Sequence, residues 1–464
     1  MHGFEAGRAN LPTQRSSLYL KRFAKCLLMS VCLGLPLGAT AQTAQPAIGS
    51  HQAVVVKTAQ AAGATSLVAT PTADGGLRLN GLLRGRQFAL VIPPNWNKQV
   101  VLFAHGYSQP GTPVAVAENP LENDALGIYR TPYAEGFAVG HSAYAKDGMG
   151  VQTGVESTLA LKKFANALGA TRAYLIGASM GGDIAVASVE KYPGEYAGAI
   201  AACGAVGGWR GEVGWLMDVR ASYNYFTHGT AYEMPGEKSI TKSALPAPTP
   251  DASGQMPPAA LMLQLKQIAT PVLGLFAAAK QNPGGAEDRI IDNIAAVAGA
   301  VKDPAGFGLP LVTAALGQDD MNAVFGGLIY DNTHKVYSSP LLGASQNAAL
   351  NRGIERVHAD PAALANADAW YTPTGRFDAK LLSMYNEVDP LVPARLHELP
   401  LLRAAEAVGN SGNLLERAVP SMTDPNLIGS GMPGLRHCGF TPDEVSQSFN
   451  DLRSWVETGK KPAR

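Results

Sequence analysis

The chain has 464 residues, with 37 Lys+Arg balanced by 37 Asp+Glu. That balance excludes the basic excess of a nucleic-acid binder and gives no electrostatic reason to sit on an anionic membrane. Hydrophobic residues make up 46%, enough for a large packed core and too many for a disordered chain, while 51 Gly and 32 Pro point to many turns and long loops around one large domain with an insertion, or two domains.

Residues 1–41 read as a secretory signal peptide. Lys21, Arg22 and Lys25 form the positive start, residues 26–37 the apolar run, and Ala39-Thr40-Ala41 a small-x-small cleavage site. The run is shorter than the ~20 residues that span a bilayer, so the segment predicts a periplasmic or secreted protein with no stable membrane anchor. Residues 42–75, rich in Ala, Thr and Gln with a Val run at 54–56, predict a flexible leader joining a peripheral strand.

From residue 76 the pattern tightens. Strands are predicted at 87–93 (QFALVIP), 99–104 (QVVLFA), 136–144 (GFAVGHSAY), 173–177 and 197–205, and helices at 154–168 and 180–191. Strands alternating with helical segments mean a mostly parallel sheet with helices on both faces. The rhythm breaks at Trp209 and returns at the predicted strand 380–385 (KLLSMY). A helix near 394–408, a strand near 415–419 and a last helix at 442–458 follow; Thr441 and Glu444 form a capping box for that last helix. The interval 209–375 holds helical stretches at 258–270 and 286–301 and is too long for a plain loop. It is expected to be a helical cap or lid inserted into a core made of residues 76–208 and 376–464.

The strongest chemical signal is Gly177-Ala178-Ser179-Met180-Gly181-Gly182, between an apolar strand (AYLI) and a helix (DIAVASVEKY). A nucleophile elbow needs that context: small residues on both sides let a tight turn lift the serine hydroxyl above the sheet edge. A serine alone is a poor nucleophile. In this architecture an acid and then a histidine follow it along the chain. Asp389, in the loop 386–393 that closes the strand 380–385, is the candidate acid, with Glu387 as competitor. His437, in a Gly-flanked loop before the last helix, is the candidate base; His397 follows Asp389 too closely to reach back. An oxyanion hole needs two converging backbone N–H groups. Met180, after the nucleophile, and Tyr107, in the turn His105-Gly106-Tyr107-Ser108, are the candidates. His141, at the end of a strand, is read as a structural or pocket residue.

In this order, HGY, GASMGG, NEVDPLVP and LRHCGF resemble the α/β-hydrolase superfamily over residues 76–208 and 376–464. The resemblance implies a serine hydrolase acting through an acyl-enzyme. The His437-Cys438 pair is also similar to secreted tannase and feruloyl-esterase-type hydrolases, in which a cysteine beside the nucleophile bonds to one beside the histidine; here Ala178 occupies the position before Ser179.

Cleavage after Ala41 leaves Cys203 and Cys438. Cys203 ends the strand after the nucleophile helix and Cys438 follows the base, so both are expected at the same sheet edge, joined by a disulfide that tethers the His437 loop. The aromatic-dense stretch Trp209, Trp215, Tyr223, Tyr225 and Phe226 either lines an acyl or aryl pocket or packs cap against core. No metal-ligand spacing and no nucleotide or phosphate motif is legible, so no cofactor is expected. His358 and Asp360 read as a solvated loop pair. The expected substrate is a small or oligomeric ester. A serine peptidase of the same superfamily, or a non-catalytic binding protein on the same fold, are the alternatives.

Overall fold

The computed structural model describes residues 49–251, 257–427 and 430–463. The signal-peptide reading of residues 1–41, with Cys26 and Cys32, lies outside them. One sheet contains β1 (Thr65–Pro71), β2 (Leu77–Leu83), β3 (Arg86–Ile92), β4 (Gln99–Ala104), β5 (Ala138–Ser142), β6 (Arg172–Ala178), β7 (Gly198–Ala202), β8 (Lys380–Asn386) and β9 (Leu414–Val419). Its strand order is β1-β2-β3-β5-β4-β6-β7-β8-β9. β1, β2, β3 and β5 pair antiparallel; from β5 onward every pairing is parallel.

The helices are α1 (Ser50–Ala61), α2 (Arg130–Ala134), α3 (Val151–Ala167), α4 (Met180–Lys191), α5 (Trp209–Thr227), α6 (Pro258–Gln281), α7 (Ala286–Ala298), α8 (Pro304–Phe325), α9 (Ala344–Gly353), α10 (Pro361–Tyr371), α11 (Ala394–Ala407) and α12 (Pro442–Thr458). Side chains alternate across each strand. Val100 and Leu102 of β4 therefore enter the core under α3 and α4, while Val101 enters the opposite core, under Phe449 and Trp455 of α12. Burial on both faces explains why the parallel strands read as continuous apolar runs. The capping box of α12 is present, with Thr441 Oγ1 accepting from the Glu444 N–H at 3.2 Å and the Glu444 carboxylate accepting from the Thr441 N–H at 2.8 Å.

One expectation fails near the N-terminus. The Val run at 54–56 is not leader or strand but lies in α1, where Val55, Val56 and Ala59 pack on the core. Tertiary burial overrides the β preference of a short Val run. β2 escaped the sequence reading because Gly81 interrupts its alternation; the residue is small because β1 crosses closely, and a Cβ there would lie 2.8 Å from the Thr65 carbonyl oxygen.

Helices α5–α10 occupy the interval between β7 and β8, and no strand lies there among the described residues. They have their own core, around Trp215, Tyr223, Ile268, Leu275, Ile294 and Leu311. The aromatic stretch at the start of α5 is mostly packing: Trp209, Trp215 and Tyr223 are buried. α8 ties this insertion to two loops at the carboxyl edge of the sheet. Its cap residue Asp303 accepts from the Leu435 N–H at 3.0 Å. Farther along, Asp320 accepts from the Met149 N–H at 2.7 Å and from the Lys146 ammonium.

Candidate active site

From β4 the chain passes first to β5, between β4 and β3, and then to β6 on the other side of β4. Such an order reversal opens a crevice at the carboxyl ends of the two diverging strands. The turn after β4 carries His105-Gly106-Tyr107; the turn after β6 carries Ser179.

Ser179 has φ 57° and ψ −126°, in the left-handed half of backbone space that a serine rarely adopts. The neighbouring glycines show why the turn holds. A Cβ on Gly177 would lie 1.8 Å from the Gly181 carbonyl oxygen, and one on Gly181 would lie 2.0 Å from that of Ala104. The elbow is thus pressed onto the end of β4. Gly106 also borders the elbow: a Cβ there would be 3.1 Å from Ser179 Cβ. Residues 106–107 and the first turn of α4 therefore face the serine from two sides.

The HGY turn is braced from below. His105 donates Nδ1–H to the Gly106 carbonyl at 2.9 Å and stacks on Tyr144, rings 3.8 Å apart, while the Tyr144 hydroxyl donates to the His105 carbonyl at 2.9 Å. Burial pushes His105 below the ordinary histidine pKa. The Tyr107 ring runs to the insertion, where its buried hydroxyl meets the backbone at Gly317 of α8 and has no hydrogen-bond partner.

Two loops bring the remaining groups to Ser179. His437 Nε2 lies 2.9 Å from Ser179 Oγ, across 258 positions of sequence. Its Nδ1 is 2.9 Å from both carboxylate oxygens of Asp389. An Nδ1–H facing a carboxylate leaves Nε2 as the acceptor for the serine hydroxyl. Asp389 is buried and also accepts from the N–H groups of Leu391 and Val392, each at 2.8 Å, and of Cys438 at 3.3 Å. Burial alone would raise its pKa, but the His437 charge and these hydrogen bonds outweigh it and hold the carboxyl below its ordinary value. Burial likewise presses His437 down; the Asp389 charge, their hydrogen bond and the charge of Glu212 prevail and hold the imidazole above its ordinary value.

Glu387, the competing acid, is exposed; its backbone N–H donates to the Val419 carbonyl at 2.9 Å. Asp389, two residues on, lies past the end of β8 where the chain turns, and is buried. Asn386, buried at the end of β8, was not singled out from sequence: its Oδ1 accepts from the Gly439 N–H at 2.9 Å and its Nδ2 donates to the Gly439 carbonyl at 2.8 Å, which clamps the loop carrying His437.

Cys203 and Cys438 form a disulfide with Cα atoms 5.3 Å apart. Ala178 ends β6 and pairs with Ala202 at the end of β7, so Cys203, the next residue, lies beside Ser179. The bridge runs from there to the residue after His437. Cys203, His437 and Cys438 place donor atoms within 4.8 Å of one another, but both sulfurs are consumed in the disulfide, so the trio is not a metal-ligand set.

The other histidines have other partners. His141 accepts from the Tyr129 hydroxyl at 2.7 Å and donates to the Ala117 carbonyl at 2.8 Å; burial holds its pKa down to about 4. His358 is exposed and faces Asp331, not Asp360, which instead caps α10. His397 pairs with Glu212 inside the protein.

The strand order, the reversal beside β4 and the serine on its strained strand-to-helix turn define an α/β-hydrolase fold. No protein-family model and no curated protein sequence matches the chain. Among solved structures it is similar to feruloyl esterase B from Aspergillus oryzae, at 14% identity over 83% of this chain and 81% of that one, with a TM-score of 0.38. An esterase from the same organism aligns at 15% identity over 83% and 80%, TM-score 0.36. A ligand-bound form of the rice cell wall degrading esterase LipA from Xanthomonas oryzae aligns at 11% identity over 86% and 94%, TM-score 0.38. These likenesses are low.

Proposed function

We propose that the protein is a serine hydrolase of carboxylic esters. The observation that carries this reading is the hydrogen-bonded series Ser179 Oγ, His437 Nε2, His437 Nδ1 and Asp389, with each link at 2.9 Å. In the proposed mechanism Ser179 Oγ attacks the ester carbonyl carbon while its proton passes to His437 Nε2. Asp389 holds the tautomer and stabilises the imidazolium. The carbonyl oxygen becomes an oxyanion, which the N–H groups of Met180 and Tyr107 receive. Collapse of the tetrahedral adduct breaks the ester C–O bond, and the leaving alcohol takes the proton from His437. Water then repeats the sequence on the acyl-enzyme, releasing the acid and restoring Ser179.

The insertion is read as a cap over this edge, supported by the attachments of α8 to the loops that flank Tyr107 and His437. Export to an oxidising compartment is the companion reading, supported by the disulfide. The substrate is taken to be an ester of a small or oligomeric molecule. The test is a panel of p-nitrophenyl esters of rising chain length beside aminoacyl-anilides, run on wild type and on Ser179→Ala. Ester turnover that disappears in the variant by several orders of magnitude supports the reading. Turnover of anilides but not esters would transfer the assignment to a peptidase. No turnover of either, with no labelling of Ser179 by an organophosphate, would leave a binding protein.

A further inference from the structure

The insertion meets both partners of Ser179 at one corner, around the turn 299–303 between α7 and α8. On the acid side, Leu391, whose N–H donates to Asp389 at 2.8 Å, packs its side chain on the insertion's own core, as does Leu396. Arg395, in the first turn of α11, donates from Nη2 to the Gly299 carbonyl at the end of α7, 3.1 Å away. On the base side, His437 follows a short hairpin in which Thr423–Asp424 pairs with Gly434–Leu435. The Leu435 N–H, two residues before His437, donates to Asp303 Oδ1 at 3.0 Å.

The turn that presents Asp303 is stiff. Lys302 reaches back to Asp288 and Asp292 of α7, at 2.9 and 2.5 Å. A Cβ on Gly306 would lie 2.4 Å from the Val301 carbonyl oxygen, so the turn is folded tightly onto the start of α8. Asp303 Oδ1 also accepts from the Ala305 N–H at 2.8 Å, which caps α8. One carboxylate oxygen therefore serves two backbone donors, one in the insertion and one in the base loop. Asn386 and Cys203 hold that loop from the ends of β8 and β7. Asp303 adds a hold from the insertion.

We propose that Asp303 is a positioning residue of the active site: its hydrogen bond to the Leu435 N–H fixes the His437 loop against the insertion, so that the insertion takes part in holding the base in place. This rests on the hydrolase reading above. A general base works only within hydrogen-bond reach of the proton it takes, and a small misplacement costs rate steeply. Asp303 touches no reacting atom; it acts through the backbone of Leu435.

The test separates this role from helix capping. Asp303→Asn keeps Oδ1 and both bonds. Asp303→Ser keeps the cap, since serine caps about as well as aspartate, but its hydroxyl ends one bond short of Leu435. Both remove the charge, so the two variants differ in reach. Wild type and both variants are compared by steady-state kinetics on a p-nitrophenyl ester and by NMR exchange of the Leu435 amide and the His437 Nδ1 proton. In Asp303→Ser kcat should fall about three- to tenfold with KM nearly unchanged, and both protons should exchange faster. Asp303→Asn should restore most of the wild-type kcat and the slow exchange. If Asp303→Ser does not fold by circular dichroism, Asp303→Thr carries the same expectation. A folded Ser or Thr variant that matches Asp303→Asn in kcat, or in exchange of the His437 proton, overturns the inference. If the wild type hydrolyses no ester, the hydrolase reading falls and the exchange measurements alone decide: faster exchange of both protons in Asp303→Ser but not in Asp303→Asn upholds the hold on the loop, and equal exchange overturns it.

Discussion

Cys203 and Cys438 join the strand beside Ser179 directly to the loop that presents His437. The bridge closes 235 positions of chain and includes the whole insertion within its span. In the chain-entropy picture so long a loop contributes up to ~5 kcal/mol of stability, with measured values often lower. For the proposed triad its effect is local: Cys438 follows His437, and its N–H donates to Asp389. Reduction with alkylation, or the double variant Cys203→Ala/Cys438→Ala, should lower kcat at least tenfold and lower the unfolding midpoint. Thiol titration of the denatured, unreduced mature protein should find no free thiols. Full activity after verified reduction would remove the tether from the mechanism.

Asp389 and Glu387 differ by two positions and by everything around them. Asp389 receives His437 and three backbone N–H groups; Glu387 is exposed. Asp389→Asn should cut kcat by about 10⁴, because the amide no longer enforces the tautomer. Glu387→Gln should leave kcat within about twofold of wild type. Steady-state kinetics on the two variants decides, and reversed effects would mean that another conformation of this loop is the active one.

The acid limb of activity should lie high. His437 must be neutral to accept the Ser179 proton, and its pKa is raised above the ordinary 6.5. Activity is therefore lost as pH falls through a value above 6.5, sooner than for an unperturbed histidine. The pH dependence of kcat/KM, which reports the free enzyme, measures it. A limb below 6.5 would contradict the placement of the Asp389 carboxylate against the His437 ring.

Glu398 offers a stability test away from the chemistry. It is buried on α11 and accepts from the Ser383 hydroxyl at 2.6 Å. Burial, opposed by that hydrogen bond and aided by the charge of Glu416, raises its pKa from 4.5 to about 8. The folded state thus holds a proton that the unfolded chain releases above 4.5. Stability is fully present below that value and falls as pH rises towards 8, by an amount of order a few kcal/mol. Glu398→Gln should flatten this decline. Urea unfolding at pH 5 and pH 8.5 checks it; an equal decline in both proteins would place the loss elsewhere.

Much of the site was legible in the sequence because its signals are local. The elbow is six consecutive residues flanked by a strand and a helix. The bounds of α4 and α12 follow from a strained serine, a proline stop and a capping box, each a bargain among neighbours in the chain. The order of serine, acid and histidine restricted the partners before any distance was known. The reading weakened wherever a residue's role depends on what arrives from afar. Val54–Val56 became helix because a core was waiting for one face of it. β2 hid behind a glycine that only the crossing of β1 requires. His397 was set aside because it could not reach Ser179; its partner, Glu212, lies 185 positions earlier, at the root of the insertion. Asp389 rather than Glu387 meets His437 through the inward turn of one loop, and Asn386 clamps the His437 loop because Gly439 comes to it. Local propensities and caps are decided by adjacent atoms, whereas pairing, burial and the charge behind a base are decided only when the sheet has closed and brought distant segments to one edge.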